Sequence, residues 1–235
     1  MRFRSLFPAA AALLILSVLL TVPASVLVFE GRGTGRLTFV IDAGHGGEDG
    51  GAVGSDGTLE SEINLAVALR LEQLLGLCGY PSVLTRRTAE LVYPETAGTT
   101  RERKRADLEY RVALVNGTER AVLLSIHQNK YSASGPKGAQ VFYGEGSESE
   151  AFAKELQEKL SVLCGSHRKA ASISPEIYLL RNVRCPAVLV ECGFLSNPGE
   201  LALLKTEAYQ TKLALAMTSA CIARHSELEK SYGEG

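Results

Sequence analysis

The chain has 235 residues, of which 46% are hydrophobic and 22% charged, and its net charge is −1. These values are typical of one globular domain of ordinary size preceded by a leader, rather than of two domains. A nearly neutral chain gives no reason to expect nucleic acid as a partner, because surfaces that bind nucleic acid are basic. The five cysteines include no Cys-x-x-Cys pair, which argues against a thiolate zinc site or a disulfide framework.

The N-terminal segment, residues 1–29, is predicted to be a signal peptide or a membrane anchor. Arg2 and Arg4 precede a run from residue 6 to residue 29 that carries no charge, which is typical of an export signal whose basic end stays in the cytoplasm. Residues 22–24 form an acceptable cleavage site, but the run also approaches the ~20 residues that span a bilayer. We therefore expect an exported protein, either secreted or membrane-anchored, with a linker over residues 30–37.

The domain is expected to begin with a buried strand at residues 38–41, because β-branched and aromatic residues are enriched there. Asp42 and Gly44 end the strand, and His45 follows between glycines that let ligands approach its ring. Residues 46–57, rich in glycine and aspartate, predict an irregular loop. An apolar period near 3.6 then predicts a helix that opens at residues 58–60 and closes at residues 77–79.

The rest of the chain continues this alternation of strands and helices. The patterns predict a strand at 80–85, a polar loop with five arginines at 86–105, a helix at 106–116, strands at 121–126 and 138–143, a helix at 148–163, strands at 177–180 and 187–190, helices at 199–204 and 206–224, and a polar tail at 227–235. Because helical crossovers join parallel strands, residues 38–226 predict an α/β domain of three layers, α/β/α, with a mostly parallel central sheet.

Three of the predicted strands lead into a side chain that can bind a metal or transfer a proton, namely His45, His127 and Glu191. In an open α/β sheet, ligands bind outside the carboxyl ends of the strands. Two imidazoles and a carboxylate are the usual ligands of catalytic zinc, and a second carboxylate can then act as the base. Glu60 opens the first helix, whose start is expected at the same edge. Glu60 and Glu191 are therefore both candidate ligands, and spacing leaves open which of them binds the metal.

Each of these residues also has a simpler interpretation. His45 could be a polar turn residue, and Glu60 could favour the dipole of its helix from the first turn. Glu191 could form a structural ion pair with an arginine of the polar loop, whose arginines could simply be solvated or could contact anionic groups of a ligand. Asp42 either orients the His45 ring or caps the turn.

Four separated blocks carry a resemblance to a known family. Residues 40–47 (VIDAGHGG), 59–65 (LESEINL), 124–129 (LSIHQN) and 190–197 (VECGFLSN) resemble the zinc-dependent N-acetylmuramoyl-L-alanine amidases. Arg86 and Arg111 also match that family's pattern. The resemblance implies hydrolysis of the bond between N-acetylmuramic acid and L-alanine in peptidoglycan. It implies that Zn²⁺ is bound by the residues His45, Glu60 and His127, and that Glu191 is catalytic.

One position departs from the family's pattern, which commonly has lysine where Ser61 stands, and we interpret this as a substrate-side or surface variation. Glu62 lies further into the helix, so Glu60 is retained as the ligand. The short chain with a single leader is most similar to the germination-specific spore-cortex branch. That branch implies the cell wall or forespore intermembrane space as the location and an accessory protein as a partner. The alternatives are a zinc peptidase or deacetylase acting on the wall, or a catalytically silent wall-binding domain.

Overall fold

The central sheet has six strands in a computed structural model that describes residues 36–91, 98–174 and 176–233. The strands, in chain order, are β1 (Thr38–Ala43), β2 (Ser82–Leu84), β3 (Ala121–Asn129), β4 (Gln140–Tyr143), β5 (Ala171–Ser172) and β6 (Ala187–Phe194). Their spatial order is β2-β1-β3-β6-β4-β5. All neighbours are parallel except β4 and β6. The mostly parallel sheet expected from the sequence is confirmed.

Six helices within the described part of the chain cover the two faces of this sheet. They are α1 (Glu60–Leu77), α2 (Thr100–Gly117), α3 (Ser147–Cys164), α4 (Tyr178–Asn182), α5 (Pro198–Leu204) and α6 (Glu207–Lys230). Successive strand residues point to opposite faces: in β1, Phe39 and Ile41 join the core formed with α1, α3 and α6, whereas Val40 joins a smaller core formed with α2 and α4. The three-layer prediction is therefore confirmed.

Helix α2 begins within the segment that we expected to be a loop. The prediction started the helix at Ala106, but α2 begins at Thr100. Thr99 and Glu102 form a capping box, in which the Thr99 side chain accepts a hydrogen bond from the Glu102 backbone N–H and the Glu102 carboxylate accepts one from the Thr99 N–H. This local signal starts a helix even where an apolar period is missing.

Two further predictions are corrected. Residues 177–180 were expected to form a strand, but α4 occupies Tyr178–Asn182, and its Leu179 and Leu180 are buried against the smaller core. A short apolar run satisfies a strand and a buried helical turn equally well. The last helix, expected to end near Arg224, continues to Lys230 and buries Leu228 completely.

The strands that carry the predicted site are longer than expected. β3 extends to Asn129 and β6 to Phe194, so His127 and Glu191 lie inside their strands rather than just beyond them. Across the described ranges, no helix is both long and apolar enough to cross a membrane. The predicted leader at residues 1–29 lies outside those ranges.

Candidate active site

The strand pairing brings His45, His127 and Glu191 to one edge of the sheet. β3 lies between β1 and β6 and is parallel to both, and His127 is directly opposite Glu191 in the register. Ala43, the last residue of β1, pairs with Ile126, so His45 follows two residues beyond that edge. Glu60 is the first residue of α1 and reaches the same place from the helix side.

The imidazoles of His45 and His127 converge on the carboxylate of Glu60. Glu60 Oε1 lies 3.3 Å from His45 Nε2 and 2.9 Å from His127 Nδ1. The two rings lie edge to face with their centroids 5.0 Å apart, and one donor atom from each residue falls within 4.8 Å of the others. Both imidazole side chains are 21% exposed, whereas that of Glu60 is only 4% exposed. The cluster is therefore anchored in the protein and open to solvent on its histidine side.

Glu60 is held ionised by its hydrogen bonds. Its Oε2 accepts from the backbone N–H of Ala52 at 2.8 Å, and its Oε1 accepts from the N–H of Gln128 at 3.1 Å and from Asn64 Nδ2 at 3.3 Å. Burial alone would raise the pKa of Glu60, but hydrogen bonds and charge from His127 and His45 bring it well below its ordinary value. An ionised carboxylate is the form that binds a metal.

The His45 ring is oriented by Asp49, which we did not single out in the sequence. His45 Nδ1 lies 2.9 Å from Asp49 Oδ2, so the opposite nitrogen faces Glu60. Lys104 pairs with the same carboxylate oxygen at 2.9 Å. Burial alone would lower the pKa of His45, but Asp49 and Glu60 raise it to about 9. A carboxylate on the outer nitrogen of a ligand histidine is a common arrangement around zinc, and the one available signal was an acidic residue four positions after the histidine.

Asp42 does not contact the His45 ring, so the first of its two expected roles is wrong. Its carboxylate accepts hydrogen bonds from Arg111 Nη1 at 2.6 Å, Thr85 Oγ1 at 2.8 Å and Ser125 Oγ at 2.6 Å. Burial raises the pKa of Asp42, but the Arg111 charge and these donors together hold it below its ordinary value. Asp42 is thus a buried anchor beneath the turn that carries His45.

Ser61 and Arg86 are more buried than the sequence suggested. Ser61 is 7% exposed, so its departure from the family's pattern is not a surface variation. Arg86 is 6% exposed and donates from Nη2 to the Ser61 carbonyl at 2.7 Å, so it is neither a solvated arginine nor free to contact a wall anion. Glu62 is exposed and does not take part in the cluster.

Glu191 lies at the same edge but does not belong to the group of three donor residues. Its Oε2 is buried and has no hydrogen-bond partner among the described residues, whereas a structural ion pair would require a paired carboxylate. Burial raises the pKa of Glu191 to about 7, with a smaller opposing effect from His127 and a raising effect from Glu60. A carboxyl group that titrates near neutral pH is suited to accept and release protons.

The residues present fit a metal ion, and glycines make room for the three side chains that would hold it. Gly51 has φ +70°, and a Cβ there would lie 2.6 Å from Glu60 Oε2 and 2.7 Å from His45 Cδ2. A Cβ on Gly44 would lie 2.3 Å from His127 Nε2. Two imidazoles and one carboxylate with an open side are the donor set of a catalytic zinc site, and the carboxylate on His45 strengthens that fit.

We expect Gly51→Ala to weaken zinc binding at least tenfold, because the added Cβ overlaps both a histidine ring and the Glu60 carboxylate. Gly57→Ala is the matched control, since Gly57 also has a positive φ, +88°, but a Cβ there would meet nothing within 4 Å. Chelator competition measures zinc affinity in both variants. Equal affinities would show that the space around Gly51 is not needed.

Comparison with known proteins gives a consistent result. Residues 39–223 match the family described as N-acetylmuramoyl-L-alanine amidase. A germination-specific N-acetylmuramoyl-L-alanine amidase of Bacillus subtilis is 39% identical over 83% of this chain and 81% of its own length. The CwlD amidase of Clostridioides difficile, solved in complex with the GerS lipoprotein, has a TM-score of 0.76 at 36% identity, covering 82% of this chain and all of that one. The catalytic domain of CwlV from Bacillus (Paenibacillus) polymyxa has a TM-score of 0.69 at 31% identity, with coverage of 82% and 99%.

Proposed function

Since the chain belongs to the N-acetylmuramoyl-L-alanine amidase family, we propose that its own His45, Glu60, His127 and Glu191 form the hydrolytic site. The enzyme hydrolyses the amide bond between N-acetylmuramic acid and L-alanine in peptidoglycan. The observation that supports this assignment is the convergence of the two imidazoles on Glu60, with Glu191 paired to His127 on the next strand.

We assign the metal to His45, Glu60 and His127. Zinc bound there would polarise the amide carbonyl and lower the pKa of a water molecule to roughly 7. Asp49 keeps His45 Nε2 directed at the cluster by its contact with Nδ1. Asn64 and the Gln128 backbone hold the Glu60 carboxylate in place. The exposed side of the two imidazoles leaves the substrate a path to the site.

Glu191 acts as the proton carrier of the reaction. Its carboxylate takes the proton of the attacking water and then gives it to the nitrogen of the departing alanine. The buried Oε2, free of hydrogen-bond partners, keeps the group available for this transfer. A pKa of about 7 keeps both protonation states accessible near neutral pH. The carboxylate is therefore a base in the first step and an acid in the second.

We propose that the enzyme acts in maturation of the spore cortex, after export across the cytoplasmic membrane. The support is its similarity to the germination-specific relative and to CwlD. Residues 1–29 would serve as the leader or anchor and provide the membrane contact. Since CwlD was solved with a lipoprotein, an accessory lipoprotein is the partner we propose for this chain.

Digestion of purified peptidoglycan tests the assigned reaction. We expect new N-terminal alanine on released stem peptides, together with glycan strands free of peptide, and a loss of both products in chelator-treated enzyme. Mass spectrometry of the soluble fraction, with end-group analysis, measures the two products. Release of acetate would instead indicate a deacetylase, and cleavage within the stem peptide a peptidase. A zinc-loaded protein without any of these products would be a silent wall-binding domain.

A further inference from the structure

Three consecutive backbone carbonyls, from the end of β1 into the turn that carries His45, accept hydrogen bonds from two buried arginines. Arg86 donates from Nε to Ala43 O at 2.9 Å and from Nη2 to Gly44 O at 3.2 Å. Arg111 donates from Nη1 to Ala43 O at 2.8 Å and from Nη2 to His45 O at 2.8 Å. Arg86 is 6% exposed and Arg111 is 2% exposed. We call these two guanidinium groups the carbonyl clamp.

The backbone held by the carbonyl clamp is strained. His45 has φ +61°, and within the described ranges Arg120 is the only other non-glycine residue with a positive φ. A left-handed conformation is unfavourable for a residue with a Cβ, so it persists only where the surroundings enforce it. The hydrogen bond from Arg111 to the carbonyl of His45 acts directly on that residue.

Arg111 is itself held by two buried carboxylates. Its Nη1 contacts Asp42 at 2.6 Å and its Nε contacts Asp107 at 2.9 Å. Asp107 and Arg111 are two of the three buried residues of α2. Helix α2 thus reaches the turn through charged groups rather than through an apolar face. A guanidinium with donors in a fixed fork can serve two carboxylates and two carbonyls at once, which an ammonium cannot do.

We propose that the carbonyl clamp is a positioning device, in which Arg86 and Arg111 hold His45 in the left-handed conformation that directs its Nε2 at Glu60. Neither arginine hydrogen-bonds to a side chain of His45, Glu60 or His127, so both act through the backbone. The inference rests on the proposed metal site. It predicts that the clamp controls zinc affinity, whereas a purely structural ion pair would change only the stability of the fold.

Arginine-to-lysine substitutions in the full-length protein separate these roles. We expect Arg111→Lys to raise the zinc dissociation constant 10- to 100-fold, the range found when supporting residues around metal ligands are changed. Arg87→Lys is the matched control, because exposed Arg87 pairs with Glu72 on the surface and should stay within about twofold of the parent. Chelator competition gives the zinc dissociation constant, and thermal unfolding in EDTA gives the stability of each metal-free variant.

An Arg111→Lys protein that unfolds at a lower temperature in EDTA but binds zinc as tightly as the parent would overturn the inference. If Arg111→Lys does not fold, Arg86→Lys decides, since Arg86 contacts Ala43, Gly44 and Ser61 through carbonyls alone. Zinc affinity weakened at least fivefold in Arg86→Lys supports the clamp, and an unchanged affinity overturns it. A parent that binds no zinc would refute the metal site itself, and the inference with it.

Discussion

Glu191→Gln is expected to lower the turnover of peptidoglycan by roughly 10²–10⁴-fold, the usual contribution of a general acid–base group, while zinc stoichiometry stays at the parent value. Glutamine keeps the shape of the side chain but cannot accept the proton of water. Glu191 also lies outside the group of three donors formed by His45, Glu60 and His127. Product release from purified peptidoglycan and metal analysis of the same sample measure the two quantities.

The same substitution should make the metal-free protein more stable at alkaline pH. The folded state raises the pKa of Glu191 from 4.5 to about 7. The neutral carboxyl therefore contributes fully to the free energy of unfolding below pH 4.5, and this contribution is lost as the pH rises through about 7. Allowing for the partial exposure of the side chain, the ionised form lowers the free energy of unfolding by about 2 kcal/mol above that pH. Glutamine avoids this cost. Stability traded for function in this way is expected at a catalytic carboxyl.

Urea unfolding in EDTA at pH 8 and pH 5 measures this difference, which should be largest at pH 8 and small at pH 5. Glu62→Gln is the matched control for the loss of one negative charge, because Glu62 is exposed on the same chain. A Glu191→Gln protein that released stem peptides at the parent rate would show that Glu191 does not carry the proton.

His45→Ala is expected to abolish both zinc binding and turnover, since it removes one of three metal ligands. Zinc at a thousand times its dissociation constant stabilises a folded protein by about 4 kcal/mol. The parent should therefore unfold at a clearly higher temperature with zinc than with EDTA, and His45→Ala should show no such difference. Zinc content by mass spectrometry of the native protein and thermal unfolding in both buffers provide the measurements.

His45→Gly separates the loss of the ligand from damage to the turn. Glycine adopts φ +61° without the Cβ contact that strains other residues. We expect His45→Gly to be more stable than His45→Ala by about 1 kcal/mol in EDTA, although both bind no zinc. His167→Ala, at an exposed histidine, should retain the parent's metal and activity. Zinc retained by either His45 variant would contradict the ligand assignment.

Much of the scaffold follows from the sequence because it depends on local properties. Apolar runs such as residues 121–126 predict buried strands, and the period of residues 60–77 predicts a helix, whatever surrounds them. The glycines around His45 mark an approachable side chain. These signals were sufficient to predict a mostly parallel sheet with His45, His127 and Glu191 at one edge, as the strand pairing confirms.

Local signals misled the prediction where two structures satisfy the same pattern. The apolar residues of 177–180 fit a strand, but they form a helical turn because Leu179 and Leu180 find their apolar partners below the sheet. The arginines before Ala106 suggested a solvated loop, whereas the capping box at Thr99 begins α2 earlier. In both segments, the element type depended on contacts or caps that periodicity does not report.

The amino-acid sequence by itself determined β1, β2, β3, β4 and β6, the first helix and the residue types collected at the edge of the sheet. Spacing left open which carboxylate faces the imidazoles, the resemblance pointed to Glu60, and the tertiary structure places Glu60 against both rings. Only the tertiary structure decided that Asp49 rather than Asp42 orients His45, and that Arg86 is buried beneath the turn. The physical reason is that side-chain direction and the burial of a charge depend on partners that lie far apart in the chain. A periodic pattern specifies which residues turn inward, but only the packed structure specifies which charges and donors they meet there.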